Sequence, residues 1–200
     1  MNNKEIFDVL IVGAGPSGSN TAISYKNLNP DLKVGIIDKA VFPRDKSCGD
    51  AIGPGVINAL KRFNNEHILD NEPEVISTSL FGPDNIGIQN YIPKVKNKDD
   101  SVVYVIPRYE LDNRIFNIAK DLDVTSLEDT RYINYENIED EKVLKVEIET
   151  SNKEKKFIFT KLLVGADGAN SRVRKSLNLK QNSDLHKAIA IRAYINSPNY

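Results

Sequence analysis

The chain has 200 residues, 40% of them hydrophobic, which is enough for one ordinary globular core with part of a second. Its 27 Lys and Arg residues nearly balance its 28 Asp and Glu residues, so the net charge of -1 provides no general attraction to nucleic acid or anionic membranes. The single cysteine excludes an internal disulfide, and the two histidines, His67 and His186, lack metal-ligand spacing. No apolar run approaches the roughly 20 residues of a spanning helix. We expect a cytoplasmic protein without a structural metal, with any membrane contact peripheral.

The first third of the chain has the pattern of a strand, a glycine turn, a helix and a second strand. Residues 7–12 are an apolar run interrupted only by Asp8, typical of a central parallel strand that is covered on both faces. Residues 19–29 predict a helix that ends before Pro30, and residues 33–38 predict the next strand. Between the first strand and the helix lies the glycine loop, Gly13-Ala14-Gly15-Pro16-Ser17-Gly18. This βαβ context is the one in which such a loop binds a dinucleotide.

Each glycine of the loop has a physical role in that interpretation. Gly13 permits a tight turn, Gly15 lets the backbone approach a pyrophosphate, and Gly18 lets the helix pack closely on the strand. The helix amino terminus then faces the phosphate charge. Asp38 follows about twenty residues beyond the last glycine, where a carboxylate accepts hydrogen bonds from ribose. Its neighbour Lys39 is a further candidate cofactor-binding residue. The plainest alternative is a glycine-rich turn in another α/β protein.

The segment after the second strand carries a more specific resemblance. Residues 42–50 read Phe-Pro-Arg-Asp-Lys-Ser-Cys-Gly-Asp, which resembles a stretch of the geranylgeranyl reductase family of FAD-dependent oxidoreductases, particularly its menaquinone-reductase-type branch. The resemblance implies that Cys48, Gly49 and Asp50 lie beside the flavin and that Arg44 lies near the phosphates. Ala51 stands where that branch has a further glycine. For Cys48 the alternative is a small buried hydrophobic residue without a redox role.

Two further positions are assigned by the same resemblance. Residues 103–112 contain an Arg-x-x-x-Asp pattern in which Arg108 would reach the flavin side of the dinucleotide. Asp112 is expected to start and cap the following helix. A surface ion pair is the alternative role for Arg108. Tyr132 falls in a stretch whose backbone meets the adenine in the family, so it is a candidate through its backbone only.

Residues 163–174 contain the second strong motif, Gly-Ala-Asp-Gly-Ala-Asn-Ser-Arg-Val-Arg. It resembles a motif shared by flavin hydroxylases, related halogenases and geranylgeranyl reductases. By that resemblance Asp167 and Gly168 support the FAD pyrophosphate, and Arg172 or Arg174 lies near the path of the nicotinamide donor. Ser171 with Arg172 is expected to open a helix whose amino end faces phosphate. A plain Asp-Gly turn is the alternative.

The remaining pattern predicts a Rossmann-like α/β domain, a parallel sheet with helices and a β-meander insertion. Residues 142–150 and 156–164 predict a β-hairpin around a polar turn, and residues 94–100 a solvated loop. We expect an FAD-binding domain over residues 1–186. Residues 187–200 are expected to contain the first strand of a substrate-domain sheet, because apolar and polar residues alternate over 187–195. The family's Gly-Asp-Ala motif and substrate sheet are not present, so we expect these residues to be the amino-terminal part of a longer protein.

Three hypotheses for function follow. The first is an FAD-dependent reductase of isoprenoid or quinone-type C=C bonds that uses NADH or NADPH and takes an apolar, isoprenoid-like small molecule. The second is an FAD-dependent monooxygenase or halogenase, in which reduced flavin meets oxygen. The third is a dinucleotide-binding fragment without turnover, which is the behaviour expected of the isolated 200 residues. No residue is identified as a general acid, and no nucleic-acid partner is expected.

Overall fold

The computed structural model describes residues 5–92, 102–180, 183–186, 188–189 and 191–193. The chain divides into two compact units, which are taken separately here. The first unit comprises Met1–Arg44 with Tyr109–Ile189, and the second comprises Asp45–Arg108 with Ala190–Tyr200. The glycine loop therefore belongs to the first unit, and the segment around Cys48 belongs to the second.

A six-stranded sheet forms the centre of the first unit, with strand order β7-β2-β1-β10-β9-β8. Its strands are β1 (Ile6–Val12), β2 (Val34–Ile37), β7 (Thr125–Leu127), β8 (Thr130–Ile138), β9 (Val143–Thr150) and β10 (Lys155–Gly165). The β7, β2, β1 and β10 neighbours pair in parallel. The β10, β9 and β8 neighbours pair antiparallel. This mixture of parallel strands with a meander confirms the predicted fold class.

Strand β10 joins the two parts of that sheet. Its first half pairs antiparallel with β9, and from Phe159 onward it also accompanies β1, reaching Gly165 beside Val12. The hairpin predicted over residues 142–150 and 156–164 is thus confirmed to within a residue at each end. Because β10 runs parallel to β1, the turn after Gly165 and the turn after Val12 leave the same edge of the sheet.

Among the described residues, three α-helices lie in this unit: α1 (Pro16–Leu28), α3 (Arg108–Asp121, all but its first residue) and α4 (Arg172–Ser176). The first predicted helix is present, but it begins three residues earlier than expected. The reason is that Pro16 occupies the first helical position, where its fixed φ and missing N–H carry no penalty. Helix α1 packs against β1 and β2, and α4 packs against β8.

The apolar core explains why β1 is apolar apart from Asp8. Leu10 and Ile11 are fully buried, and so are Ile36 and Ile37 on β2 and Thr160 on β10. One cluster joins β1 and β2 to the meander and to α4; its members are Phe7, Leu10, Val12, Ile37, Tyr132, Val146, Ile148, Ile158 and Val173. Burial of side chains on both faces is the condition of a central parallel strand, so the glycine loop follows directly on a buried strand.

The second unit contains shorter elements. Strands β3 (Ala51–Ile52) and β6 (Tyr104–Val105) pair antiparallel, and β4 (Ser77–Phe81) forms a hairpin with β5 (Gly87–Tyr91). Helix α2 (Pro54–Lys61) follows β3 and is succeeded by a single 3-10 turn at Glu66–Leu69. Ala51, which replaces a glycine of the resembled family, is exposed and pairs with Val105 within β3.

Two sequence predictions fall wholly or partly outside the described residues. The loop predicted over residues 94–100 lies outside them. Of the strand predicted over 187–195, residues 188–189 and 191–193 are described and form no strand. The predicted domain boundary after residue 186 stays a prediction. No helix among the described residues is both long and apolar enough to cross a membrane.

Candidate cofactor site

The glycine loop begins where β1 ends, and its first glycine is sterically required. Gly13 has φ +103°, and a Cβ there would lie 2.4 Å from the carbonyl oxygen of Ala166. Its N–H donates to the carbonyl of Ile37 at 2.8 Å, which ties the turn to the end of β2. A side chain would therefore be opposed both by backbone conformation and by a neighbouring main chain that cannot rotate away.

Gly18 meets an even closer neighbour. A Cβ at this position would lie 1.8 Å from the carbonyl oxygen of Gly13. The first turn of α1 is therefore packed directly on the turn that leaves β1. This is the close helix-to-strand approach that the third glycine of a dinucleotide-binding loop provides.

The amino terminus of α1 is arranged to receive an anion. Gly15 is the N-cap residue, and no side chain caps the helix. The Ser19 hydroxyl donates back to the carbonyl of Ala14 at 2.9 Å, so it does not compete for the helix N–H groups. Since the first N–H groups of a helix lack intrahelical acceptors and carry the positive end of its dipole, a phosphate is a suitable partner for Ser17 and its neighbours.

Asp38, at the end of β2, is bonded to the glycine loop itself. Its Oδ2 accepts a hydrogen bond from the N–H of Ala14 at 2.8 Å, and Oδ1 accepts from the N–H of Ala40 at 2.9 Å. Each carboxylate oxygen retains capacity for a further donor, as a ribose hydroxyl would require. Asp38 is half-buried and Lys39 is exposed. Ribose recognition by either residue stays a prediction.

Arg44 is a cation that lies beside the glycine loop. Its Nη1 lies 3.0 Å from Oδ2 of Asp112, and its guanidinium carbon lies 4.8 Å from the ring centroid of Phe42. A Cβ on Gly15 would be 3.3 Å from Nη2 of Arg44. The guanidinium is thus stacked on one face, paired on one edge and placed beside the loop with another edge, which is the geometry that suits a phosphate.

Asp112 differs from its sequence prediction. It was expected to start and cap a helix, but α3 begins four residues earlier at Arg108 and Asp112 lies one turn inside it. The Asp112 side chain has no exposed surface and pairs with Arg44. A capping residue would have an extended backbone, whereas this carboxylate is buried on the inner face of the helix with Leu111, Ile115 and Phe116. In the sequence, the helical spacing of those apolar neighbours was the signal that Asp112 lies inside the helix.

The turn at Asp167 and Gly168 lies against the glycine loop, because a Cβ on Gly13 would be 3.0 Å from the Cα of Asp167. Gly168 has φ +83°. Asp167 Oδ2 accepts hydrogen bonds from the backbone N–H groups of Arg172 at 2.6 Å and Val173 at 3.3 Å. The Asp167 Oδ1 atom is buried and has no hydrogen-bond partner among the described residues.

These bonds correct one expectation about α4. Its amino end was expected to face phosphate, but Asp167 and Ser171 occupy its N–H groups, with the Ser171 Oγ accepting from Arg174 N at 2.9 Å. Arg174 donates to the carbonyl of Ala169, and Arg172 donates to the carbonyl of Tyr132 at 3.4 Å. The short helix is therefore capped by the protein itself. A position near the nicotinamide donor stays a prediction for both arginines.

Tyr132 joins β8 to α4 through its side chain as well as its backbone. Its ring is buried in the core, and its hydroxyl lies 2.7 Å from the hydroxyl of Ser176. Burial raises the pKa of the Tyr132 phenol above its usual value, and the hydrogen bond with Ser176 partly offsets that rise. Because the folded state then favours the neutral phenol, this contribution to stability is complete below the phenol's ordinary pKa and is lost as the pH rises above it.

Tyr132→Phe is expected to lower the free energy of unfolding by about 1 kcal/mol at neutral pH, since it removes one hydrogen bond. The difference between the two proteins should shrink above about pH 10, where only the wild type loses stability through this phenol. Urea unfolding at pH 7.5 and 10.5 measures both quantities. A variant whose deficit grows with alkaline pH would contradict the described environment.

The candidates of the second unit form a separate group. Cys48 is a free, half-buried thiol in an irregular loop, and Gly49 beside it would have no atom within 4 Å of an added Cβ. Asp50 is buried with φ +59°, and its carbonyl accepts from the N–H of Ile106 at 3.0 Å. Arg108 begins α3. Contact of these residues with a flavin stays a prediction.

A dinucleotide fits the first unit on three observations. Helix α1 has no side-chain cap, Arg44 lies beside Gly15, and Asp167 keeps one buried oxygen without a partner in the described chain. A bound pyrophosphate with its ribose or ordered water would satisfy such groups. No group of three or more His, Cys, Asp or Glu side chains among the described residues could hold a metal ion.

Comparison with known proteins agrees with this geometry. Residues 6–196 match the family described as FAD binding domain. The chain is 30% identical over 191 residues to a menaquinone reductase of Mycolicibacterium smegmatis, covering 96% of this chain and 44% of that protein. It is 27% identical over 192 residues to a menaquinone reductase of Mycobacterium tuberculosis, again covering 44% of the relative. The chain thus spans less than half the length of these relatives.

Solved structures of low sequence identity share the fold. A flavoprotein/dehydrogenase from Cytophaga hutchinsonii superimposes with a TM-score of 0.75 at 20% identity, over 90% of this chain and 44% of the other. The p-nitrophenol 4-monooxygenase of Pseudomonas putida gives a TM-score of 0.75 at 18% identity, over 88% and 45%. The flavin-dependent halogenase CmlS gives 0.71 at 20% identity, over 87% and 31%.

Proposed function

The chain belongs to the FAD-binding domain family, and from that premise we propose that it serves a reductase of isoprenoid or quinone-type C=C bonds that draws on NADH or NADPH. The observation that carries the binding role is the Arg44 guanidinium, which Asp112 and Phe42 hold beside the uncapped start of α1. Bound FAD would supply hydride transfer between the nicotinamide donor and the substrate. The residues described above contribute binding and orientation.

Each of those residues has a definite task in this proposal. Arg44 and the α1 amino terminus neutralise the pyrophosphate, and Gly15 leaves the space between them open. Asp38 holds the loop through Ala14 while offering its remaining lone pairs to ribose. Asp167 Oδ1 accepts a donor from the cofactor or from its bound water. Because these groups are already placed by the fold, little ordering remains when the dinucleotide binds.

Two arguments favour a reductase. The curated relatives at 30% and 27% identity are menaquinone reductases, and their similarity extends over nearly all of this chain. The Cys48-Gly49-Asp50 stretch resembles the geranylgeranyl reductase family, and on that resemblance we propose membership of that family. The membership of that branch, the donor, the apolar substrate and peripheral membrane contact are all parts of the proposal.

A monooxygenase or halogenase is the second candidate. Its support is the fold shared with CmlS and with p-nitrophenol 4-monooxygenase, at 20% and 18% identity. Fold similarity at that level does not carry activity from one protein to another. For the isolated 200 residues, dinucleotide binding without turnover stays a prediction under both candidate functions.

FAD titration tests the binding role. We expect the chain to bind FAD more tightly than riboflavin by about 100-fold, since riboflavin lacks the phosphates that Arg44 and α1 would contact. ADP should compete with FAD, because it carries the pyrophosphate and the ribose. Flavin fluorescence measures both. Equal affinities for FAD and riboflavin would contradict the assigned phosphate site.

Anaerobic assays of the full-length gene product separate the two enzymatic candidates. A reductase should oxidise NADH or NADPH in the absence of oxygen when an isoprenoid quinone is added, with product two hydrogens heavier than substrate. A monooxygenase or halogenase should require oxygen for substrate conversion. Incorporation of labelled oxygen into the product would overturn the reductase proposal.

A further inference from the structure

The second unit contains an ion cluster that sequence reasoning did not identify. The Arg192 Nη2 donates to Asp45 Oδ1 at 2.8 Å and Oδ2 at 2.6 Å, and its Nη1 donates to Asp50 Oδ2 at 2.7 Å. The Arg192 side chain is only 17% exposed and that of Asp50 only 5%. One guanidinium thus binds two carboxylates from a segment more than 140 residues earlier in the chain.

The two carboxylates lie at the ends of one short loop. Residues 45–50 form neither helix nor strand, and they include Cys48 and Gly49 between the two aspartates. The far end is further tied by the Ile106 N–H, which donates to the Asp50 carbonyl. At Gly49 the backbone has no near neighbour in the space where a side chain would lie. The polar contacts at the two ends of the loop therefore restrain its conformation.

The geometry suits the guanidinium of arginine. Its planar guanidinium presents several donors in fixed directions, and here it uses one nitrogen for both oxygens of Asp45 and another for Asp50. A lysine ammonium in the same place would be a point charge on a flexible stem and would not bridge both carboxylates with the same directional restraint. The pKa of Asp45 is lowered by its hydrogen bond with Arg192, which keeps this carboxylate charged.

We propose that Arg192 is a positioning residue that holds the 45–50 loop in one conformation and thereby limits the access of reagents to the half-buried Cys48. This restraint does not depend on the proposed function. Removal of Arg192 therefore releases Cys48 even when no flavin is present. The same release should follow when the partner Asp45 is neutralised instead.

Cys48 reports this restraint directly, because it is the only cysteine of the chain. We expect Arg192→Gln and Asp45→Asn each to raise the rate of Cys48 modification by dithiodipyridine about fivefold or more, as local opening becomes more frequent. The two variants change the local charge in opposite directions. A purely electrostatic influence on the thiol would slow the reaction in R192Q and accelerate it in D45N.

Controls complete the experiment. Arg131→Gln, at an exposed arginine of β8 in the first unit, should leave the Cys48 rate unchanged, and Arg192→Lys should restore only part of the restraint. Asp45 has a 55% exposed side chain, so D45N keeps the test valid if R192Q does not fold. Rates within twofold of wild type in both variants, or opposite shifts in the two, would overturn the positioning role.

Discussion

Gly18→Ala is expected to destabilise the protein by about 3 kcal/mol, as severe overpacking does, and to weaken FAD binding by about 100-fold. The added Cβ would lie 1.8 Å from the carbonyl oxygen of Gly13. That oxygen belongs to the backbone at the end of β1, so no side-chain rotation relieves the contact. The start of α1 must move away from the strand, and the N–H groups that face the pyrophosphate move with it.

Chemical denaturation and FAD titration measure the two effects, and Gly55→Ala provides a matched control. Gly55 lies in α2, where an added Cβ would have nothing within 4 Å. The same substitution there should stabilise the protein by about 0.5–1 kcal/mol, since alanine loses less backbone freedom in a helix. Equal losses in the two variants would show that the close approach at Gly18 is not the cause.

Arg44→Gln is the second substitution with a large expected effect. We expect FAD affinity to fall by about 10–100-fold, which corresponds to one or two charge-assisted hydrogen bonds to phosphate. Riboflavin affinity should stay within about twofold, because riboflavin carries no phosphate. Stability should also fall, because the fully buried Asp112 loses its cationic partner Arg44.

Asp112→Asn tests whether Arg44 depends on its buried partner. The variant should weaken FAD binding in the same direction, and the double variant should lose less than the sum of the two single losses, since both act on one guanidinium. Arg114→Gln is the control on the same helix, because Arg114 forms an exposed pair with Glu110 and should change stability by less than about 0.5 kcal/mol. Additive losses at Arg44 and Asp112 would contradict their coupling.

The fold was largely predictable because its signals are local. The apolar run of β1, the glycine loop and the hairpin of β9 and β10 each appear within a few neighbouring residues, and each is present in the structure. Element boundaries were less accurate. Helix α1 begins at Pro16 within the loop, and α3 begins at Arg108 before the residue expected to cap it. A helix start depends on which N–H groups find acceptors, and periodicity does not report that.

The cofactor site was predictable only in part. The glycines at 13, 15 and 18 carry their roles in the sequence, because only glycine meets the steric conditions of such a turn. The partner of Arg44 was not predictable, since Asp112 lies 68 positions later and any of several acidic residues could have been chosen. The state of the α4 amino end was also misjudged. One Asp167 oxygen caps that helix, and the other, which has no partner among the described residues, is the one that our proposal assigns to the cofactor.

The sequence by itself determined that the chain is an α/β dinucleotide-binding domain, because glycine spacing and strand periodicity are properties of adjacent residues. That the dinucleotide is FAD came from the resemblance of the later motifs, and residues 6–196 match the FAD binding domain family. The tertiary structure alone decided how the charges are used. Arg44 is held by Asp112 beside the glycine loop, and Arg192 is held by Asp45 and Asp50 across the 45–50 loop. Such pairs join distant parts of the chain, and their strength depends on burial and direction, which exist only once the chain is folded.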